Sequence, residues 1–192
     1  MDAIGLRRWL MRRMARDDGF GRRRSILVVC TANVCRSAMA EVVLRKATWR
    51  AGLDFDIDSA ATHEYMIGMP PAPLAVAAAK RRGYNLTGLV SRRVRGHDFR
   101  YFDLILAVSR PSLEWLRTFA PHRCGRKIRM LTDYSYLYRR QDIPDPYGGG
   151  LGGFETALDM IEDACQGVVR SFVAAGADSS AAAGPYEASF AE

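Results

Sequence analysis

Apolar residues along this chain fall into short blocks that alternate between two periods. Ile26 to Val29 is a continuous run rich in β-branched residues, as in a parallel strand covered on both faces. Phe55 to Ser59, Phe102 to Val108 and Lys127 to Leu131 read as three further strands. Helical spacing fills the gaps between them. From Ser37, the residues Met39, Val42, Val43 and Ala47 share one stripe. Pro73 to Arg82 opens on proline and is followed by Gly83, the expected start and stop of a helix. Pro111 to Phe119 is a short helix with Leu113, Leu116 and Phe119 inward. Phe154, Leu158, Ile161, Cys165, Val168 and Phe172 step by four and three, so 154–173 is amphipathic with Cys165 in the core.

Alternating strands and helices predict an α/β fold: a doubly wound, four-stranded parallel sheet with helices on both faces and right-handed crossovers. Ligands of such sheets sit beyond the carboxyl ends of the strands. Cys30 ends the first strand, and a loop leads from it into the first helix.

Composition refines this picture. The chain has 192 residues, of which 48% are hydrophobic, enough for one well-packed domain. Five of its seven net positive charges lie in residues 1–24, where eight Arg stand against Asp2, Asp17 and Asp18. The basic character belongs to this N-terminal extension, so no nucleic-acid partner is expected for the domain. Leu6, Trp9, Leu10 and Met14 fall near helical spacing among the arginines. The extension is expected to be a loosely docked leader, with contact to a membrane surface as the alternative. Gly19 to Gly21 breaks it from the core. The predicted organisation is therefore an extension over 1–24, one domain over 25–175, and a disordered tail over 176–192, where Ala, Ser, Gly and acid take over.

No apolar run is long enough to span a bilayer, and the Arg-rich start never leads into a signal-peptide core. Four cysteines in a chain this long do not form a disulfide framework. These features predict a cytoplasmic protein, in which the Asn85-Leu86-Thr87 glycosylation pattern goes unused.

The strand–loop–helix around Cys30 carries the candidate chemistry. Backbone amides at a helix N-terminus and the helix dipole together favour an anion. A cysteine at the rim of such a loop is nucleophilic as thiolate. Arg36 adds a planar fork that matches two phosphate oxygens. Nucleophile, amide cradle and guanidinium make a phosphate-ester hydrolase site; the competing structural reading is a buried cysteine ending a core strand.

Cys30-Thr31-Ala32-Asn33-Val34-Cys35-Arg36-Ser37 resembles the active-site loop of the low-molecular-weight protein tyrosine phosphatases, Cys-x-Gly-Asn-x-Cys-Arg-Ser, and Asp145-Pro146-Tyr147 matches the family's second signature. The resemblance covers about Ser25 to Val173. It implies hydrolysis of phosphotyrosine through a phosphocysteine, with no metal and no cofactor. Cys30, Arg36 and Asp145 become the catalytic residues. Thr31, Ala32, Asn33, Val34, Cys35 and Arg36 bind phosphate, and Asn33, Ser37 and Ser59 support the loop. Asn33 is expected in a left-handed backbone conformation, which Asn tolerates. Tyr65 and Tyr147 wall the substrate cleft. Cys35 is the redox partner that forms a disulfide with an oxidised Cys30. Asp142 competes with Asp145 for the acid's role but lacks the flanking Pro and Tyr. The Gly-rich segment after Tyr147 resembles bacterial members, which implies a tyrosine autokinase of exopolysaccharide export as protein substrate.

Ala32, Ala38, Leu89, Ser109 and Gly148 depart from the family's Gly, Pro, His, Asp and Tyr. No reacting group is among them. Other expectations are blander. His63 is a loop histidine, Cys124 has no role, and Arg92, Arg93 and Arg95 form a solvated basic edge. Tyr134, Tyr136 and Tyr138 are surface tyrosines on the long connection from Thr132 to Gly153. The same scaffold also serves arsenate reductases, which need two further relay cysteines, and protein-arginine phosphatases, which carry Thr where Val34 stands. A non-catalytic phosphotyrosine-binding module is the alternative from another class.

Overall fold

A computed structural model describes residues 23–181, with side-chain surroundings through residue 175. Residues 1–22 of the expected loosely docked leader, with its alternative of membrane contact, and the tail from 182 lie outside the described residues. The elements run β1 (Arg24–Cys30), α1 (Arg36–Arg50), β2 (Phe55–Ala61), α2 (Pro73–Arg81), α3 (Asp98–Tyr101), β3 (Leu104–Ala107), α4 (Arg110–Phe119), β4 (Ile128–Met130) and α5 (Leu151–Ala181). Short 3-10 turns at His122–Lys127 and Leu131–Tyr134 flank β4.

The four strands pair in parallel in the order β2-β1-β3-β4. β1 is therefore central, with Ile26 opposite both Ile57 and Leu104. Its side chains alternate between two cores. Ile26, Val28 and Cys30 join residues of α1, α2 and α5 on one face. Leu27 and Val29 join Phe99, Phe102 and Leu116 on the other. Burial of both faces explains why the strand reads as an unbroken apolar run. The doubly wound sheet expected from the sequence is present, and the Cys30 loop follows its first strand.

Several boundaries move. β3 spans only Leu104–Ala107; Phe102, expected in the strand, is buried in the second core just before it. β4 shortens to Ile128–Met130, because the backbone of Lys127 ends one 3-10 turn and Leu131 opens the next. On α4, Leu116 is buried but Phe119 is 59% exposed. Phe119 stacks instead on Trp115 at the surface, ring centroids 4.4 Å apart. The last helix continues to Ala181, past the boundary expected at Gly176; this stretch holds Ala174, Ala175, Ala177 and Ala181, and alanine is the best helix former.

The long connection before α5 is better anchored than a loop of surface tyrosines. Tyr134 and Tyr138 pack partly buried against the core, while Tyr136 is 83% exposed. Asp163 on α5 accepts from the backbone N–H groups of Tyr136 and Leu137, 3.0 Å each, and from the Ser135 hydroxyl. α5 approaches this segment at Gly167, where a Cβ would stand 1.7 Å from the Tyr134 carbonyl oxygen. Among the described residues, no helix is long and apolar enough to cross a membrane.

Candidate active site

β1 delivers Cys30 to the carboxyl edge of the sheet, and α1 begins six residues later at Arg36. The loop between them is pinned from outside through its carbonyls. Cys30 O accepts from Thr62 N at 2.9 Å, Thr31 O from His63 N at 3.0 Å, and Val34 O from Ala72 N at 2.8 Å. Ala32 O accepts from the Ser91 hydroxyl at 2.7 Å. In a trans peptide each carbonyl points away from the next N–H. The amides of Thr31, Ala32, Asn33 and Cys35 therefore turn to the inner side of the loop. Asn33 N–H shows this directly by reaching Cys30 Sγ at 3.2 Å. α1 has no side-chain cap, which leaves first-turn N–H groups available to an anion.

Asn33 holds the loop's shape. Its φ is +59°, as expected, and the side chain is buried. Nδ2 donates to Ser37 Oγ at 2.9 Å and Ser59 Oγ at 2.8 Å, while Oδ1 accepts from Arg92 N–H at 3.0 Å. The Arg92 contact fixes which way the amide lies. With Ser37 Oγ already accepting, its own proton is left for Cys30 Sγ, 3.0 Å away. Ala32 avoids positive φ, so the missing loop glycine leaves no backbone strain.

Arg36 is almost fully buried, with its guanidinium spanning two partners. Nη1 donates to the Ile143 carbonyl at 3.2 Å and Nη2 to Asp145 Oδ2 at 2.6 Å. Asp145 is half exposed, its side chain 53% accessible, and its Oδ1 accepts from Tyr147 N–H at 3.2 Å. Asp142 points elsewhere and caps α4 through Arg110 N–H at 3.0 Å. Cys30 to Arg36, Tyr65, Met66, Asp145 and Tyr147 enclose a cavity of about 200 Å³. Burial, then the charges of Cys30 and Asp145, push the Cys35 thiol up to about 12, with Arg36 acting against them. Both Tyr65 and Tyr147 are largely exposed at the rim; His63 stacks on Tyr65, centroids 5.2 Å apart.

A cysteine sulfur, an inward ring of amides, a guanidinium and a carboxylate thus share one small cavity. Residues 25–177 match the family model for low molecular weight phosphotyrosine protein phosphatase. The chain belongs to this family. A low molecular weight protein-tyrosine-phosphatase of Streptomyces coelicolor is 37% identical over 151 residues, covering 76% of this chain and 92% of the relative. YfkJ of Bacillus subtilis, with the same family description, is 34% identical over 149 residues, covering 77% and 94%. The crystal structure of a protein tyrosine phosphatase from Entamoeba histolytica superposes with a TM-score of 0.77 at 32% identity, covering 80% of this chain and 99% of that one.

Within this phosphatase fold, four contributors escaped the sequence. Met66 lines the cavity beside Tyr65. Ser91 fastens the loop through Ala32. Glu41 is buried on α1, accepts from Ser59 Oγ at 2.5 Å and pairs with Arg45. Its signal was a carboxylate amid the apolar residues of the first helix. The fourth is Arg92, whose side chain is not on a solvated edge. It lies between the buried carboxylates of Asp58 and Asp98, 3.0 and 2.8 Å away. Burial alone would lower its pKa, but the two anions outweigh that and raise it.

Among the departures, Leu89 simply fills the core on the α1 side. Ser109 Oγ pairs with Ser112 Oγ at 3.2 Å. Gly148 has φ +83° with open space where a Cβ would stand, so backbone conformation alone favours glycine there.

Proposed function

We propose that this phosphatase hydrolyses phosphotyrosine through a phosphocysteine. The observation that carries this is the closure of Asp145 over the Cys30 loop onto Arg36, which brings acid, cation and nucleophile to one cavity. In the first step Cys30 Sγ attacks phosphorus; an S–P bond forms and the P–O bond to tyrosine breaks. Asp145 gives its proton to the leaving phenolate oxygen. The inner amides of Thr31 to Arg36 and the Arg36 guanidinium take up charge on the three equatorial oxygens. In the second step Asp145 takes a proton from water, the water oxygen attacks phosphorus, and the S–P bond breaks. Inorganic phosphate leaves and the thiolate returns.

Ser37 and Asn33 N–H stabilise that thiolate as a nucleophile and as a leaving group. Asn33 and Ser59 position the loop, and the rims of Tyr65 and Tyr147 flank the substrate ring. Cys35 stays a neutral thiol at physiological pH; the family resemblance assigns it the trapping of an oxidised Cys30 as a disulfide. A relay of the arsenate-reductase kind lacks support among the described residues. Cys165 is buried in the core on one face of the sheet, and Cys124 packs against the other.

By analogy with bacterial members, the protein substrate is a tyrosine autokinase of exopolysaccharide export, met in the cytoplasm. The deciding experiment compares p-nitrophenyl phosphate, phosphotyrosine and phosphoarginine with wild type and Cys30→Ser. Wild type is expected to turn over the two aryl phosphates, insensitive to chelator, and the variant neither. Full activity in Cys30→Ser, or a preference for phosphoarginine, would overturn the assignment.

A further inference from the structure

The segment Glu64 to Ile67 has two sides. Tyr65 and Met66 face the cavity above Cys30. Glu64 and Ile67 line a separate open groove of about 750 Å³, whose other walls include Arg93, Arg95, Trp115 and Phe119. One short wall therefore divides the phosphate cavity from an apolar trough.

That wall is fixed. Gly68 N–H donates to Ser91 O, and Ser91 N–H to Met69 O, 2.9 Å each. The Ser91 hydroxyl in turn holds the phosphate loop through Ala32. Arg93 ties to Glu64 across the groove and pairs its backbone with Ala61 at the end of β2. The trough is thus held in one arrangement relative to Cys30. Its apolar surface is unusual for a rim. Phe119 is 59% exposed and Ile67 38%, and Phe119 rests on Trp115 rather than in the core. Aromatic pairs presented in a concave site are strong anchors for a partner's side chain. Arg93 and Glu64 are both exposed at their contact, 45% and 68%, and so open a surface pair is weak enough for a substrate carboxylate to exchange with Glu64 on Arg93.

We propose that this trough is a substrate-docking site that reads residues flanking the phosphotyrosine. The occupant is an extended segment of the substrate protein with one large apolar side chain and a neighbouring carboxylate. The apolar side chain packs on Trp115, Phe119 and Ile67. The carboxylate meets Arg93. The proposal rests on the phosphatase reading, because only a phosphotyrosine seated over Cys30 brings the flanking chain across the wall. Docking there makes the enzyme selective among phosphoproteins while leaving the chemistry on small aryl phosphates untouched.

The test is a phosphotyrosyl peptide array. One Leu or Phe and one Asp are walked across about four residues on either side of the phosphotyrosine, roughly 13 Å of extended chain each way. Wild type should favour one placement over an all-alanine background by about tenfold in kcat/KM, mostly through KM. Phe119→Ala should erase that preference while p-nitrophenyl phosphate turnover stays within about twofold of wild type. Arg93→Ala should remove the contribution of the aspartate and lower that of the apolar side chain less. Equal use of all peptides by wild type, or an unchanged preference in Phe119→Ala, overturns the docking site. Loss of the phosphatase reading looks different: wild type would then turn over no aryl phosphate at all. In that case binding of each array peptide to Cys30→Ser, followed by Trp115 fluorescence in a background with Trp9 and Trp49 replaced by Phe, still decides whether the trough is occupied. A change in protein oligomeric state with no response to peptide would also sink the proposal.

Discussion

Arg36 and Asp145 meet at 2.6 Å, although 109 positions separate them in the chain. The arginine is buried and the aspartate half exposed. A phosphate dianion seated among the loop amides would compete with Asp145 for the same guanidinium nitrogen. In the proposed mechanism the pair holds Asp145 at the mouth of the site until substrate takes over the cation. Asp145→Asn should slow phosphotyrosine turnover by about 10²–10³-fold. The loss should be smaller on p-nitrophenyl phosphate, whose leaving group needs little protonation. Steady-state kinetics on the two substrates check this, and equal losses would remove Asp145 from proton transfer.

Cys35 supplies a pH test. Burial raises its pKa from the ordinary 9.0 to about 12. The folded protein keeps a proton there that the unfolded chain releases near 9.0. The unfolded state thus binds fewer protons between these values, so stability falls as pH rises through this window. Cys35→Ser should remove one share of that alkaline decline and retain turnover, the buried Cys165 thiol, whose pKa burial also raises, supplying another share. Urea denaturation at about pH 8 and about pH 10, on either side of the ordinary thiol value, measures it. Iodoacetamide at neutral pH should mark Cys30 well before Cys35.

Asn33 combines a left-handed backbone with three buried hydrogen bonds. Asn33→Ala should lose about 2 kcal/mol of stability through strain and unpaired polar groups. Asn33→Gly relieves the strain but not the lost bonds, so it should fall between alanine and wild type. Both should lower kcat/KM, because Ser37 is no longer oriented toward Cys30. Denaturation midpoints together with kinetics separate the two contributions.

Gly167 lets α5 touch the turn at Tyr134. Gly167→Ala puts a methyl group into a carbonyl, so the helix or the turn must shift. A loss of about 2–3 kcal/mol is expected by denaturant melting, despite alanine's better helix propensity. A neutral effect would show that this contact yields at no cost.

Some of this molecule is written locally. β1 reads as a strand covered on both sides because consecutive apolar residues satisfy both faces at once. The Cys30 loop, Arg36, Asn33's backbone conformation and the Asp145 turn are short-range patterns, so order and spacing suffice to find them. Other features arise between segments far apart. Arg92 looks like one of three exposed cations until β2 and the start of α3 place Asp58 and Asp98 around it. Phe119 looks inward by spacing until Leu116 takes the available core volume. Ser91 and Glu41 carry no motif at all, and their roles exist only where the loop's carbonyls and Ser59 arrive.

The strand–loop–helix, the candidate reacting groups on it and the family were legible in the sequence. They depend on neighbouring residues and on the periodicity of burial. Folding in three dimensions chose which partners hold the loop, where each charge is neutralised, and that one wall separates the phosphate cavity from an apolar trough. Such facts are set by distances between residues remote in the chain, and no local spacing encodes them.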